Sequence, residues 1–243
     1  MPNYMFERAK ANCDKIIEWL ENIKASGCEG VVLGLSGGKD STVVAMLAKL
    51  VWGDNVLAMI MPNYSNTDTG DAIVISNILE LNSFYHPIND IYDIFGNPDL
   101  GYSEKALSNV APRIRMTILY VEAQDWGYRV IGTGNRSERY IGWCTKHGDM
   151  ACDFNPIAHL TCSEVIELGL YLADKFGLPS EFIVKPPADG ITGKTDEDNF
   201  GFTYKQLDTY LLEGSSGDPA IDEKIEQMHR AAKHKLKMPA TME

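Results

Sequence analysis

The chain has 243 residues, a length that fits one large α/β domain better than two small ones. Hydrophobic residues make up 44% and charged residues 23%, which are ordinary values for a globular protein. A formal net charge of −12 without a basic stripe argues against a nucleic-acid partner, because like charges repel phosphates. The five cysteines form no CxxC pair, so we expect free thiols and a cytoplasmic location. No apolar run reaches about 18 residues, so we expect no membrane span.

The predicted elements alternate between helices and strands along the first half of the chain. Hydrophobic residues at helical spacing predict a first helix at Asn3–Ala25, and VVLGL at residues 31–35 is typical of a buried strand. Further strands and helices follow, namely strands at residues 56–61, 84–88 and 128–133 and helices at STVVAMLAKLVW, 69–81 and 103–126, the last with Pro112 as a kink or break. This order predicts a doubly wound parallel sheet with helices on both faces, which binds ligands beyond the carboxyl ends of its strands.

The C-terminal third is predicted to be more helical and richer in loops. Helices are expected at residues 162–177, 204–212 and 220–235. The stretch KPPADGITGKTDEDNFG, residues 185–201, is polar and rich in glycine. Its length indicates a functional or mobile segment rather than a plain connection.

The motif SGGKDS, residues 36–41, lies between a predicted buried strand and a predicted helix. Its glycines let the backbone approach a polyphosphate closely, and the start of the helix offers N–H donors and a positive dipole end. A Walker A loop is excluded, because Leu33 replaces its first glycine and Asp40 follows Lys39. An aspartate beside phosphates requires a cation, which indicates Mg²⁺. The alternative is a plain glycine turn capped by serine and aspartate.

SGGKDS resembles the signature of the N-type ATP pyrophosphatases, which cleave ATP between its α and β phosphates. Three further stretches are similar, in the same order along the chain, to the NAD synthetase family: GTGNRSERYIGWCTKHGDMACDFNPIAHL, GKTDEDNFGFTYKQLDTYLLEG and HKLKMP. The resemblance covers nearly the whole chain. It implies a Rossmann-like sheet of the ATP-pyrophosphatase type and a single synthetase domain over residues 1–243, without a glutaminase domain.

The resemblance to NAD synthetases also implies a ligase that forms a C–N bond. In this family, ATP and Mg²⁺ drive the amidation of deamido-NAD (nicotinic acid adenine dinucleotide) by ammonia through an acyl-adenylate, which gives NAD, AMP and pyrophosphate. A homodimer with the dinucleotide at its interface is implied as well. Free ammonia is the expected nitrogen source, unless a separate amidase subunit supplies it.

The roles of individual residues are carried over from the resemblance. Asp40 and Glu138 are expected to bind Mg²⁺, and Asp153 is expected to favour neutral ammonia near the acyl carbon. The expected ATP contacts come from the glycine loop and from the end of the fourth strand: Gly34, Ser36, Gly37, Gly38, Lys39, Asp40, Ser41 and Thr133. The expected deamido-NAD contacts are Arg113, Lys146, Asp153, His234 and Lys235.

Each of these assignments has a plainer alternative. Glu138 is also typical of the first turn of a helix, where a carboxylate complements the helix dipole. Asp153 is compatible with the cap of a turn. The basic candidates are compatible with solvated surface charges or, near the C-terminus, with cations that complement a helix dipole: Arg113, Lys146, His234 and Lys235.

Two residues depart from the pattern of the family at expected ATP contacts. Cys162 stands where the family has a lysine, and Pro187 stands where it has serine or threonine. Neither side chain replaces the donor that is lost, so Lys185 or Lys194 is a candidate substitute. Two other functions therefore remain alternatives: an ATP pyrophosphatase that adenylates a different acceptor, and a nucleotide-binding sensor without catalysis.

Overall fold

A computed structural model describes residues 2–64, 67–185, 195–237 and 241–242 of the chain. In this part of the chain, four strands form one parallel sheet in the order β3-β2-β1-β4, with β1 at Val31–Gly34, β2 at Val56–Ile60, β3 at Asn82–Tyr85 and β4 at Arg129–Val130. Strands β2 and β3 are added on one side of β1, and the chain then returns to add β4 on the other side of β1. The predicted doubly wound parallel sheet is confirmed, and the carboxyl ends of β1 and β4 form its switch point.

Twelve α-helices lie within the described residues, and each stretch that was predicted to be helical contains at least one of them. They are α1 Asn3–Ala25, α2 Lys39–Trp52, α3 Thr67–Ile78, α4 Asn89–Gly96, α5 Glu104–Leu107, α6 Val110–Trp126, α7 Arg136–Ile141, α8 Cys162–Phe176, α9 Glu181–Val184, α10 Asp196–Phe200, α11 Tyr204–Glu213 and α12 Pro219–Ala232. Four short helices, α4, α7, α9 and α10, are not among the predicted elements. One or two turns are too few to produce a recognisable periodic pattern.

The helix predicted at residues 103–126, with Pro112 as a kink or break, is divided into α5 and α6, and the predicted position of the break is wrong. The break lies at Ser108 and Asn109, and Pro112 lies in the first turn of α6. Proline is tolerated there, since the first N–H groups of a helix have no intrahelical acceptor. Strand β3 begins and ends earlier than the expected residues 84–88, and β4 is shorter than the expected residues 128–133.

Alternate residues of the strands face two hydrophobic cores on opposite faces of the sheet. Val31 and Leu33 of β1 lie in the larger core, together with residues of α1, α2, α3 and α8. Val32 lies in the second core with Ile114 and Ile118 of α6. The predicted placement of helices on both faces is therefore confirmed.

A third hydrophobic cluster joins the C-terminal helices beside the carboxyl edge of the sheet. Its buried members include Ile141 of α7, Phe200 of α10, Leu207 of α11 and Ile225 of α12. Helix α10 lies in the stretch predicted as a loop at residues 185–201, of which residues 186–194 are outside the described part. None of the described helices is both long and apolar enough to cross a membrane.

Candidate active site at the switch point of the sheet

The loop between β1 and α2 forms one wall of the candidate site. Gly37 has a φ of +82°, and a Cβ at this position would lie 2.3 Å from the backbone oxygen of Asp68, so the loop requires glycine here. Gly38 is the N-cap of α2 and has no side chain with which to cap it. The first N–H groups of this 14-residue helix can therefore bind an external anion such as a phosphate group.

The serine hydroxyls of the loop bond to the loop itself. Ser36 Oγ and Ser41 Oγ lie 3.0 Å apart, Gly38 N donates to Ser36 Oγ, and Ser41 Oγ donates to the Gly38 carbonyl. Ser41 is buried, whereas Ser36 is exposed and is better placed to reach a ligand. Gly34 ends β1 and Thr133 follows β4, so both lie at the same edge of the sheet as the loop.

Asp40, in the first turn of α2, lies beside the start of α7, the helix that follows β4. Asn135 is the N-cap of α7, and its Nδ2 donates to Asp40 Oδ1 at 3.0 Å. The side-chain oxygen of Asn135 accepts from Glu138 N, and Glu138 Oε2 accepts from Asn135 N, which completes a capping box. One asparagine therefore holds the two predicted metal ligands near each other.

The acidic pair is accompanied by a buried lysine. Burial and, next, the neighbouring Asp40 raise the pKa of Glu138 to about 8, against an opposing effect of Lys39. Lys39 is buried, and its Nζ forms an ion pair with Asp40 Oδ2 at 2.7 Å. Lys39 thus faces Asp40 rather than the open side of the loop, and its contact with ATP stays a prediction.

The oxygen donors at this place fit Mg²⁺. In nucleotide sites, Mg²⁺ takes one or two carboxylates together with phosphate oxygens and water. Asp40 and Glu138 offer the carboxylates, and the raised pKa of Glu138 is the expected sign of an acid that is buried beside a second acid. No group of three or more acidic, histidine or cysteine side chains in the described residues forms a complete metal cage, so a divalent ion here would take further ligands from nucleotide and water.

Two residues of the C-terminal helices complete the surroundings of Lys39, and the sequence analysis assigned neither of them to the site. The Tyr204 hydroxyl donates to Asp196 Oδ2 at 2.8 Å, and both residues are buried. The centre of the Tyr204 ring lies 5.6 Å from Lys39 Nζ. Burial and, next, Glu138 and Asp196 raise the pKa of Tyr204, so its hydroxyl remains a donor. Both residues lie in the stretch GKTDEDNFGFTY, which supports the resemblance to NAD synthetases but did not by itself indicate that Asp196 and Tyr204 belong to the site.

A buried aspartate joins α7, α8 and α11 behind the site, and the sequence analysis missed it too. Asp208 Oδ1 accepts from Ser137 Oγ, and Oδ2 accepts from the backbone N and the hydroxyl of Ser163. Ser137 directly precedes Glu138, so this contact fixes the first turn of α7. Cys162 N also donates to Ser137 Oγ, and the Cys162 side chain is buried in the third hydrophobic cluster.

The residues predicted to contact deamido-NAD fall into separate groups. Arg113 is exposed on α6 and donates from Nη2 to the Lys146 carbonyl at 3.4 Å, so these two residues lie together. Lys235 donates to two backbone carbonyls just after α7, each at 2.7 Å, and His234 is exposed on the same turn. The contacts of all four with deamido-NAD stay predictions.

Asp153 lies beside the carboxyl end of β4. Its Oδ2 accepts from Val130 N at 2.7 Å, and the hydroxyl of Tyr120 bonds to the same carboxylate. Asp153 N also donates to the carbonyl of Val130, the last residue of β4, three residues before Thr133. The carboxylate of Asp153 thus bonds within the sheet and to α6, and its role toward ammonia stays a prediction.

Lys185 is the one proposed substitute for the missing donors that lies in the described part of the chain. Its Nζ forms ion pairs of 2.6 Å with Asp68 and with Asp71, both on α3. These two aspartates also border the first glycine of the loop between β1 and α2. Lys185 is therefore close to the loop. Pro187 and Lys194 lie outside the described residues.

Comparison with known proteins identifies the family. Residues 12–239 match the family model of NAD synthase. The NH(3)-dependent NAD(+) synthetase of Carboxydothermus hydrogenoformans is 41% identical over 234 residues, which cover 93% of this chain and 94% of that protein. The solved NMN synthetase from Francisella tularensis has a TM-score of 0.88 at 35% identity and covers 96% of this chain and 98% of its own. The NH3-dependent NAD synthetase from Campylobacter jejuni has a TM-score of 0.75 at 34% identity, with 98% and 99% covered. The chain therefore belongs to the NAD synthase family.

Proposed function

We propose that the protein is an ammonia-dependent NAD synthetase, which amidates deamido-NAD with ATP as co-substrate. The observation that carries the proposal is the convergence of Asp40 and Glu138 beside the amino end of α2, at the switch point of the sheet. An anion-binding helix end next to two carboxylates suits a nucleotide whose phosphates share a divalent ion with the protein. Membership in the NAD synthase family supports deamido-NAD as the acceptor.

In the proposed reaction, the nicotinate carboxylate of deamido-NAD attacks the α-phosphorus of ATP, pyrophosphate leaves, and ammonia then displaces AMP from the acyl carbon. The chain binds and orients the reactants: the amino end of α2 holds phosphate oxygens, and Asn135 aligns Asp40. When bound by Asp40 and Glu138, Mg²⁺ would neutralise phosphate charge. No protein nucleophile is required.

The proposal is tested by incubating the protein with ATP, Mg²⁺, ammonium and deamido-NAD. We expect NAD and AMP in equal amounts. Asp40→Ala and Glu138→Ala are each expected to abolish product formation, whereas Asp54→Ala, an exposed aspartate beyond the far end of α2, is the matched control that retains it. Full turnover by either acidic variant contradicts the metal assignment. A wild-type protein that forms neither product is instead a nucleotide-binding sensor.

A second acceptor is favoured by one observation. Of the two solved structures compared above, the NMN synthetase from Francisella tularensis has the higher TM-score, 0.88 against 0.75. Amidation of nicotinate mononucleotide uses the same adenylation chemistry on a smaller acceptor. Parallel assays with deamido-NAD and with nicotinate mononucleotide distinguish the two functions. We expect a higher kcat/KM for deamido-NAD than for nicotinate mononucleotide. A higher kcat/KM for the mononucleotide would instead identify the protein as an NMN synthetase.

We also infer that free ammonia is the nitrogen source and that the chain is one synthetase domain. In support, residues 12–239 match one family model, and the relative from Carboxydothermus hydrogenoformans, 94% of which is covered, is named as NH(3)-dependent. An assay with glutamine in place of ammonium is therefore expected to give no NAD. Formation of glutamate and NAD from glutamine by the purified chain would contradict this inference.

A homodimer is the proposed assembly. Large apolar side chains are exposed on the edge strand β3, on α4 and on the turns that follow: Phe84, Tyr85, Ile91, Ile94, Phe95, Leu100 and Tyr102. Apolar surface of this kind is typical of protein interfaces. We expect sedimentation to show a particle of two chains and Ile94→Asp to give monomers. A monomeric wild-type protein would contradict the proposal.

A further inference from the structure

Lys39 is a buried cation of the candidate site. It belongs to the first turn of α2, and only 4% of the residue is exposed. Its Nζ lies 2.7 Å from Asp40 Oδ2 and 5.6 Å from the centre of the Tyr204 ring. Removing an ammonium group from water is costly unless a charged partner compensates. The ion pair with Asp40 is therefore a built feature of the site and not a chance contact at the surface.

The partner of Lys39 is one of the two proposed metal ligands. Asp40 Oδ2 accepts from Lys39 Nζ, while Asp40 Oδ1 accepts from Asn135 Nδ2 at 3.0 Å. Both oxygens of this carboxylate thus have protein donors. The ammonium group of Lys39 therefore has its ion-pair partner inside the protein rather than in the solvent.

We propose that Lys39 is a resident cation of the metal site, which competes with the divalent ion for Asp40 while nucleotide is absent. This inference rests on the metal role that the proposed function gives to Asp40. An ammonium group and a divalent ion beside the same carboxylate repel each other, and burial strengthens the repulsion. The ion pair disfavours metal binding to the free protein and keeps the side chain of Asp40 oriented.

ATP changes this balance, because its phosphates bring negative charge to the amino end of α2. Phosphate oxygens can then hold the ammonium group and the divalent ion at the same time, so the two cations no longer share a single carboxylate. Metal and nucleotide are expected to bind cooperatively, and each raises the affinity of the other by the same factor. Lys39 is a positioning residue in this scheme, since it acts through Asp40.

The test is a titration of the nucleotide-free protein with Mn²⁺, in which electron paramagnetic resonance measures the free ion. Lys39→Met removes the ammonium group at similar side-chain length, and we expect it to bind Mn²⁺ at least about tenfold more tightly than the wild type. Lys39→Gln is a second neutral variant with the same expected direction. Lys49→Met removes a lysine from the same helix, where its partner is the exposed Asp54, and it is expected to leave the affinity unchanged.

Asp40→Asn separates this proposal from the metal assignment. In the Lys39→Met background, Asp40→Asn is expected to remove the gain in Mn²⁺ affinity. The proposal alone is overturned if both Lys39 variants fold and bind Mn²⁺ no more tightly than the wild type, while Asp40→Asn weakens wild-type binding. A gain that survives Asp40→Asn overturns the metal role of Asp40 and the proposal with it, because the ion then binds elsewhere.

Discussion

Asn135 Nδ2 donates a hydrogen bond to Asp40 Oδ1 at 3.0 Å, although 95 positions separate the two residues in the chain. Asn135 is fully buried, and it is also the N-cap of α7, whose capping box includes Glu138. The side chain of Asn135 therefore caps the start of α7 and also aligns both proposed metal ligands. Its removal should affect stability and metal use together.

Asn135→Ala is expected to lower the free energy of unfolding by about 1–2 kcal/mol, because it removes an N-cap and a buried hydrogen bond. The Mg²⁺ concentration needed for half-maximal activity should rise about tenfold or more, as for other residues that orient a metal ligand. Urea unfolding and Mg²⁺ titration of the activity measure the two effects. Thr203→Ala removes the N-cap of α11 and is the matched control, with a loss of stability but an unchanged Mg²⁺ requirement.

Glu138 gives the metal-free protein a specific pH dependence. Its pKa is raised to about 8 from an ordinary 4.5, so the folded protein keeps this proton at pH values where the unfolded chain has lost it. The free energy of unfolding therefore falls as the pH rises through this window. Glu138→Gln should remove this fall and become more stable than the wild type near pH 8.

Urea unfolding in the presence of a chelator, at several pH values across that window, measures the effect of Glu138→Gln. The exposed Glu213 provides the control for loss of a glutamate charge, and Glu213→Gln should follow the wild-type pH dependence. Parallel curves for wild type and Glu138→Gln would show that Glu138 does not bind the extra proton.

Gly37→Ala should disrupt the loop between β1 and α2. A Cβ at Gly37 would lie 2.3 Å from the backbone oxygen of Asp68, in a backbone conformation with a φ of +82°. Such strain costs about 1–3 kcal/mol, and we expect a loss of ATP affinity of more than about tenfold. Isothermal titration with ATP measures it.

Gly38→Ala is the matched control for Gly37→Ala, since both add one methyl group to the same loop. Gly38 has a φ of −84°, and its added Cβ would lie 3.3 Å from Ser36 Oγ, a side-chain atom that can move. Its ATP affinity should stay within a small factor of the wild-type value. Equal losses in the two variants would argue against a specific role of the Gly37 conformation.

Asp208→Ala should destabilise the contact between α7, α8 and α11. The change removes the acceptor of the buried Ser137 Oγ and leaves the part-buried hydrogen bond from the backbone N–H of Ser163 unmade. We expect a loss of about 2–4 kcal/mol in the free energy of unfolding, measured with urea. Asp222→Ala is the control, because Asp222 accepts from two serines in a similar way but at the surface, and its loss should be much smaller.

Much of the fold follows from local patterns in the sequence. The run VVLGL, the glycines of SGGKDS and the apolar spacing in the next helix together specify strand β1, the loop and helix α2. The capping box of α7 is also a local signal, because its two partners are three residues apart. Such features depend on near neighbours in the chain and are therefore present in the sequence, although α7 itself was not predicted, because six residues are too few for a periodic pattern.

The direction of individual polar side chains depends on residues far away in the chain. The sequence predicts Lys39 as a phosphate ligand, but its side chain points toward Asp40 and Tyr204. The reason is that the third hydrophobic cluster holds Tyr204, at the start of α11, near the start of α2. Asp153 is predicted to act on ammonia, but its carboxylate accepts from the backbone N–H of Val130, the last residue of β4. A charged side chain turns toward whichever partner and solvent access the folded chain provides, and only packing between distant segments settles both.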